Sequence, residues 1–157
     1  MAEILIVAGR DSRAALELIG VARRLAPALG ARVSAAVCGP AQELPVPTIY
    51  HAGSDLLAEY QPDLYLEALS AIAAQAKPSL ILFSHDPAGQ ELGPRLAARL
   101  DAGCVTDAVD FAVDGGRLTV RRPVFGGKAV ATYAGERPTL VVTVRPRSQE
   151  PAVADGS

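Results

Sequence analysis

Apolar residues in this chain fall into short unbroken runs separated by amphipathic stretches, and the alternation predicts strands and helices in turn. Residues 4–8 form a continuous apolar run closed by Gly9, the pattern of a strand buried on both faces of a parallel sheet. Asp11 or Ser12 can cap the helix that follows. Ala15, Leu18, Ile19, Ala22 and Leu25 mark its apolar stripe, and Gly30 supplies a stop. Pro27, near that end, is expected to shorten or kink it. Residues 33–38 read as a second buried strand, residues 39–47 with three prolines as a loop, and residues 48–51 as a short third strand. Pro62 suits the first position of a helix, in which Tyr65, Leu66, Leu69, Ile72 and Ala73 recur at helical spacing until Lys77-Pro78. Residues 80–83 make the next buried strand and residues 84–87 turn the chain. Leu92, Leu96 and Leu100 mark another helix, and Val105 opens a further strand.

Alternating strand and helix through residue 107 imply right-handed βαβ units and a parallel sheet. Beyond that point the period changes. Residues 109–113 and 118–122 flank Asp114-Gly115-Gly116 and read as a hairpin. Residues 128–133 and 139–144 read as a second antiparallel pair around residues 134–138. The expected fold class is therefore α/β: a three-layer α/β/α domain with a mainly parallel Rossmann-like sheet extended by C-terminal antiparallel strands. One domain is expected over residues 1–146, with residues 147–157 as a linker or frayed tail, because the chain turns polar and rich in Pro and Ala from Arg145.

Composition narrows the class. Half of the 157 residues are apolar and the net charge is −2, which excludes a disordered chain. No apolar run approaches the roughly 20 residues that a membrane span needs. The N-terminus lacks the basic region of a secretory signal, so a soluble cytoplasmic protein is expected. The pI of about 5.7 argues against nucleic acid as a partner. Charge is unevenly placed: residues 1–116 carry eight basic and fourteen acidic residues, whereas residues 117–147 carry seven basic residues and one acid. The C-terminal third can thus offer a basic face to an acidic partner, or simply hold solvated arginines that guard strand edges. Cys38 and Cys104 lie far apart, form no metal-type spacing and read as buried thiols.

In an open parallel sheet a ligand binds beyond the carboxyl ends of the strands, where strand order reverses. If the first and fourth strands are neighbours, that crevice is walled by Gly9 and by Ser84-His85-Asp86. Gly89 and Gln90 would stand at a helix start whose free N–H groups favour an anion. Gly9, Ser84, His85, Gly89 and Gln90 are the cofactor-binding candidates. Ser84, His85 and Asp86 have the residue types of a hydrolytic triad, but consecutive side chains diverge, so no catalytic residue is assigned. No metal-ligand spacing appears. Gly126 and Gly127 allow close approach of another chain or a turn between strands, and Arg95 reads equally as an ion-pair partner or a functional cation.

Three segments together resemble a known family. They are residues 84–100 (Ser-His-Asp-Pro-Ala-Gly-Gln-Glu-Leu-Gly-Pro-Arg-Leu-Ala-Ala-Arg-Leu) continued to Asp107, residues 122–129 (Arg-Pro-Val-Phe-Gly-Gly-Lys-Ala), and Thr143-Val144-Arg145-Pro146. In this order they resemble the N-terminal domain of the electron transfer flavoprotein alpha subunit, over about residues 3–146. The resemblance implies a non-catalytic electron-carrier component that assembles with a beta-like subunit and a separate FAD-binding domain. FAD would be held in the assembled complex and not tightly by this chain alone. Arg95, Arg122, Gly126, Gly127 and Lys128 are the candidates for contact with a partner or the flavin. A homodimer stays open. The family usually carries a basic residue and Asp where this chain has Gln90-Glu91, and Asn where it has Lys128. The second resemblance rests on Gly89, Gly93 and Gly103, which are similar to the glycine loop of nucleotide-binding universal stress proteins. It implies a stand-alone regulatory module binding AMP or ATP. Its first gap is one residue too long here, and Cys104 replaces the usual hydroxyl residue.

Overall fold

A computed structural model describes residues 2–154. Its strands and helices follow in the order β1 (Ala2–Ala8), α1 (Ser12–Leu29), β2 (Ala31–Cys38), β3 (Thr48–Ala52), α2 (Pro62–Ala76), β4 (Leu80–Ser84), α3 (Pro87–Leu100), β5 (Gly103–Ala108), β6 (Asp110–Asp114), β7 (Arg117–Val124), β8 (Ala129–Ala134) and β9 (Leu140–Val144). Six strands form one sheet in the order β3-β2-β1-β4-β9-β5, with every pairing parallel. β1 and β4 are neighbours, as the crevice argument requires.

The side chains of the sheet alternate between two cores. Ile4, Ile6, Leu80, Leu82, Val142 and Val144 face one way, against Leu18, Ile19 and Ala22 of α1. Leu5, Ile81, Phe83 and Val141 face the other, against Leu66 and Leu69 of α2 and Leu92 and Leu96 of α3. Both faces of these strands are covered, which is why their sequences read as unbroken apolar runs. The helix boundaries follow their caps. The Asp11 side chain accepts from the backbone N–H groups of Arg13 and Ala14, and Gly30 ends α1 in the left-handed conformation. Pro27 stays inside α1, which runs on to Leu29. Lys77 and Asp101 end α2 and α3 at positive φ.

The antiparallel strands correct one sequence reading. β8 and β9 are not a pair. β6, β7 and β8 make a separate antiparallel sheet of three strands, so the parallel sheet is not prolonged by them. β9 returns to the centre of the parallel sheet, between β4 and β5. All five of its residues are buried, while five of the six in β8 are exposed. A strand of Leu-Val-Val-Thr-Val gains most where both faces are covered, and only the middle of the parallel sheet offers that. The small sheet packs beside α1 through Val120, Phe111, Val113 and Leu118.

Part of the tail is also placed differently from the expectation. The Ala152 N–H donates to the Leu16 carbonyl, and Arg24 of α1 donates to the Gln149 side chain and the Glu150 carbonyl. Residues 149–152 are therefore docked on α1, not frayed. Residues 155–157 lie outside the described residues.

Close approach of α3 to β4 fixes where the crevice opens. A methyl group at Gly89 would meet the Ser84 carbonyl oxygen at 1.8 Å, whereas one at Gly93 would meet the Thr143 methyl at 2.8 Å. Backbone cannot yield as a side chain can. Gly89→Ala is expected to destabilise the fold by about 2–3 kcal/mol and Gly93→Ala by about 1 kcal/mol, the range for overpacking. Urea unfolding of the two variants checks the order.

Candidate functional site

The carboxyl ends of β1, β2 and β4 open into a cleft of about 830 Å³ between the starts of α1 and α3. Gly9, Arg10, Asp11, Tyr60, Asp86 and Glu91 are among its walls, with a narrow inner extension reaching Ser84 and Gly89. Gly9, Ser84 and Gly89 are thus brought together. His85 and Gln90 are not: His85 turns to Thr143, with Nδ1 2.8 Å from Oγ1, and the Gln90 side chain donates to the His85 carbonyl.

Both helix starts in this cleft are capped by a carboxylate. Asp86 precedes α3 and its Oδ1 accepts the Gly89 N–H at 2.8 Å. Asp11 does the same for α1, its Oδ1 lying 3.0 Å from the Arg13 nitrogen. The expectation of free N–H groups at Gly89 is corrected by this cap: a carboxylate supplies the anion that the helix end favours. The walls are acidic as well, with Asp11, Asp86 and Glu91 against Arg10, whose guanidinium is held by the Ala58 carbonyl. The diphosphate of FAD, or the phosphates of AMP or ATP, would meet the carboxylates of Asp11 and Asp86 at the two helix starts and Glu91 beside them. The residues of this crevice do not fit those groups.

Tyr60 and Tyr65 close one side as an edge-to-face pair with ring centres 5.1 Å apart. The Tyr60 hydroxyl donates to Glu91 at 2.6 Å, and burial together with that carboxylate raises its pKa. In the sequence Tyr65 reads only as part of the apolar spacing of α2 and Tyr60 carries no signal, because the segment looks like an ordinary helix entry. Arg95 donates to Asp63 at 2.7 Å, and Arg99 to Glu67 at 2.6 Å, so both tie α3 to α2.

A second cluster lies at the carboxyl ends of β4, β5 and β9. Thr143 Oγ1 accepts the Asp107 N–H at 2.9 Å and meets His85 on its other side. Arg145 grips Asp107 through two hydrogen bonds of 2.9 and 2.7 Å. That guanidinium, opposed by some desolvation, holds the Asp107 carboxyl below its usual range. Arg137 pairs with Asp101 and Arg121 with Asp110. Three arginines of the basic C-terminal third are therefore matched by acids from the first 116 residues. Arg122 lies in β7 with its Nε buried and without a partner. Gly126 and Gly127 form the tip between β7 and β8 at φ 66° and 87°, beside Phe125, which is 81% exposed, and Lys128. No group of three or more His, Cys, Asp and Glu side chains is placed to hold a metal among the described residues.

The thiols differ from the sequence reading. Cys104 is exposed, and Cys38, at the end of β2, is half-buried in the cleft wall.

Fold and crevice together define a doubly wound α/β domain whose strand-end cleft is lined by carboxylates. Comparison with known proteins makes the class specific. Residues 7–157 match the electron transfer flavoprotein domain. The chain is 33% identical to the electron transfer flavoprotein subunit alpha of Bacillus subtilis, over 97% of its own length and 45% of that protein. It is 33% identical to Protein FixB of Clostridium saccharobutylicum, over 95% of this chain and 48% of the relative. Protein FixB of Azorhizobium caulinodans is 31% identical over 83% of this chain. The chain belongs to the electron transfer flavoprotein family and spans about half the length of these curated relatives. The universal-stress-protein reading is not favoured by these matches. No helix among the described residues is long and apolar enough to cross a membrane.

Two outcomes test the electrostatics. Burial pushes the Cys38 thiol up to about 11. At pH 8 its thiolate fraction should be about a thousandth, so alkylation in a Cys104→Ser background should still quicken between pH 8 and 10. Asp107 has a lowered folded pKa, so its contribution is present above the unfolded carboxylate range and is lost as pH falls through the folded value. Asp107→Asn keeps a residue suited to the positive φ of 60°. It should cost about 1 kcal/mol at pH 7 and flatten the loss of stability below about pH 4, read as Tm against pH.

Proposed function

We propose that this chain is the alpha-type scaffold domain of an electron transfer flavoprotein. In this reading it catalyses no reaction. It assembles with a beta-like subunit and with an FAD-binding domain lying outside these 157 residues, in a soluble cytoplasmic complex that passes electrons between dehydrogenases and an acceptor. The flavin supplies the redox chemistry, and this chain supplies shape and charge. The observation that carries the reading is the match of residues 7–157 to the electron transfer flavoprotein domain, beside two helix starts in the cleft that are capped by the domain's own aspartates. In this reading the scaffold is kept, and the domain's own carboxylates stand where a dinucleotide phosphate would otherwise be bound. Arg122, Gly126, Gly127 and Lys128, along β7 and at the β7–β8 tip, are the proposed partner-facing group. Arg95 enters it only through the Asp63 pair, because its guanidinium is already engaged.

Calorimetric titration of the purified chain with FAD, AMP and ATP tests the reading, together with a mixture containing an electron transfer flavoprotein beta subunit and the remaining part of an alpha subunit. No binding to the chain alone is expected up to about 100 μM ligand. Flavin should be retained once all components are mixed. Tight FAD binding by the chain alone would overturn the scaffold assignment. Tight AMP or ATP binding would put the nucleotide-binding regulator in its place.

A further inference from the structure

Among the described residues, five other than glycine hold a positive φ: Lys77, Asp101, Asp107, Phe125 and Arg147. Four of them are fixed by bonds of the chain itself. Lys77 and Asp101 end α2 and α3, and their N–H groups donate to carbonyls in the last turns of those helices. The Asp107 N–H donates to Thr143, and Arg145 grips the carboxylate. Arg147 lies in a turn closed by the Ser148 N–H on the Arg145 carbonyl. Phe125 is different. It is a bulky aromatic at φ 53°, in a region that such residues avoid. Its side chain is more exposed than any other large apolar one among the described residues, so packing within the domain does not hold it there.

The loop around it leaves the ring bare. Val124 pairs with Ala129 across the hairpin, so residues 125–128 form its tip. Gly126 and Gly127 continue the run of positive φ, and a methyl group on either would meet nothing within 4 Å. Neither glycine serves a close approach inside the domain. Both keep the surface beside the ring clear of side chains. The surrounding residues 117–135 hold Arg117, Arg121, Arg122 and Lys128 and no acid. A strained backbone and an exposed aromatic ring both destabilise the isolated domain, and no contact within it offsets them.

We propose that Phe125 is the apolar anchor by which this domain docks on the beta-like subunit, entering an apolar pocket with an acidic rim. This rests on the scaffold reading above, which gives the β7–β8 tip to that subunit. One aromatic ring buries a large apolar area, which is why such side chains sit at the centres of interfaces. Arg122 and Lys128 flank the ring in sequence and set the charge that the rim must match, steering the approach. The tight left-handed run presents the ring in advance, so little backbone freedom is lost on docking.

A mixture of this chain with FAD, an electron transfer flavoprotein beta subunit and the remaining part of an alpha subunit tests it, with flavin retention followed against the concentration of the chain. Phe125→Asn places a residue that tolerates positive φ at the tip. It should raise the half-saturating concentration of the chain by about thirtyfold or more. The urea midpoint of the chain alone should stay the same or rise, because strain is relieved and no packing is lost. Phe125→Tyr keeps the ring and should stay within about threefold of the unaltered chain. Leu56→Asn removes another exposed apolar side chain, 71% exposed, from a different part of the surface. It should change assembly by less than about twofold. Assembly of Phe125→Asn within about twofold of the unaltered chain would overturn the anchor and leave the scaffold reading standing. So would an equal loss with Leu56→Asn, or a lowered urea midpoint, which would assign the ring to the domain's own packing. No flavin retention with the unaltered chain would overturn the scaffold reading and, with it, the beta-like subunit as the occupant.

Discussion

The position of β9 governs the rest of the architecture. Its five buried residues fill the slot between β4 and β5, so the parallel sheet is continuous only when the last strand is in place. Everything between Ala108 and Leu140 is an excursion that starts at the carboxyl end of β5 and must finish at the opposite end of the sheet, where β9 begins. That requirement produces the small antiparallel sheet, which leaves beside β5, covers α1 from the side and returns the chain to Thr139. The Thr139 hydroxyl bonds the Pro78 carbonyl, and the Leu140 N–H bonds the Ser79 carbonyl, at the entrance to the slot. β9 also delivers Thr143 and Arg145 to the other end, where they organise His85 and Asp107.

Much of the fold was legible in the chain because each element carries its own signal. The run at residues 4–8, the Asp11 and Gly30 caps, Pro62 and the leucines at 92, 96 and 100 each report a local preference that the tertiary structure keeps. The mistaken pairing of residues 128–133 with 139–144 shows where that stops. Two apolar strands joined by a short polar stretch look like a hairpin, and only the contrast between Val-Ala-Thr-Tyr and Leu-Val-Val-Thr-Val hints that one is half-exposed and the other wholly buried. Register and partner choice are non-local, decided by which slot in the sheet is empty.

The crevice was legible in outline and not in chemistry. Gly9, Ser84 and Gly89 were placed by the rule for strand ends, and the rule held for their position. What it missed was the use of Asp86. An aspartate two residues past a strand can line a ligand site or cap the next helix, and the one-dimensional pattern is the same in both cases. The choice is set by the Gly89 N–H lying within 2.8 Å of Oδ1. Likewise, the excess of basic residues after Arg117 is smaller in space than along the chain, because Asp101, Asp107 and Asp110 come from the acidic part to meet it.

Self-capping has a further consequence for how this scaffold can diverge. Each helix end in the crevice is closed by one side chain, not by a bulky loop. Loss of the carboxylate at residue 86 would uncover the start of α3 without moving Gly89 or β4, at the cost of about one helix cap. The charge at that end of the crevice thus belongs to single side chains at its surface, while the sheet beneath is held by packing alone.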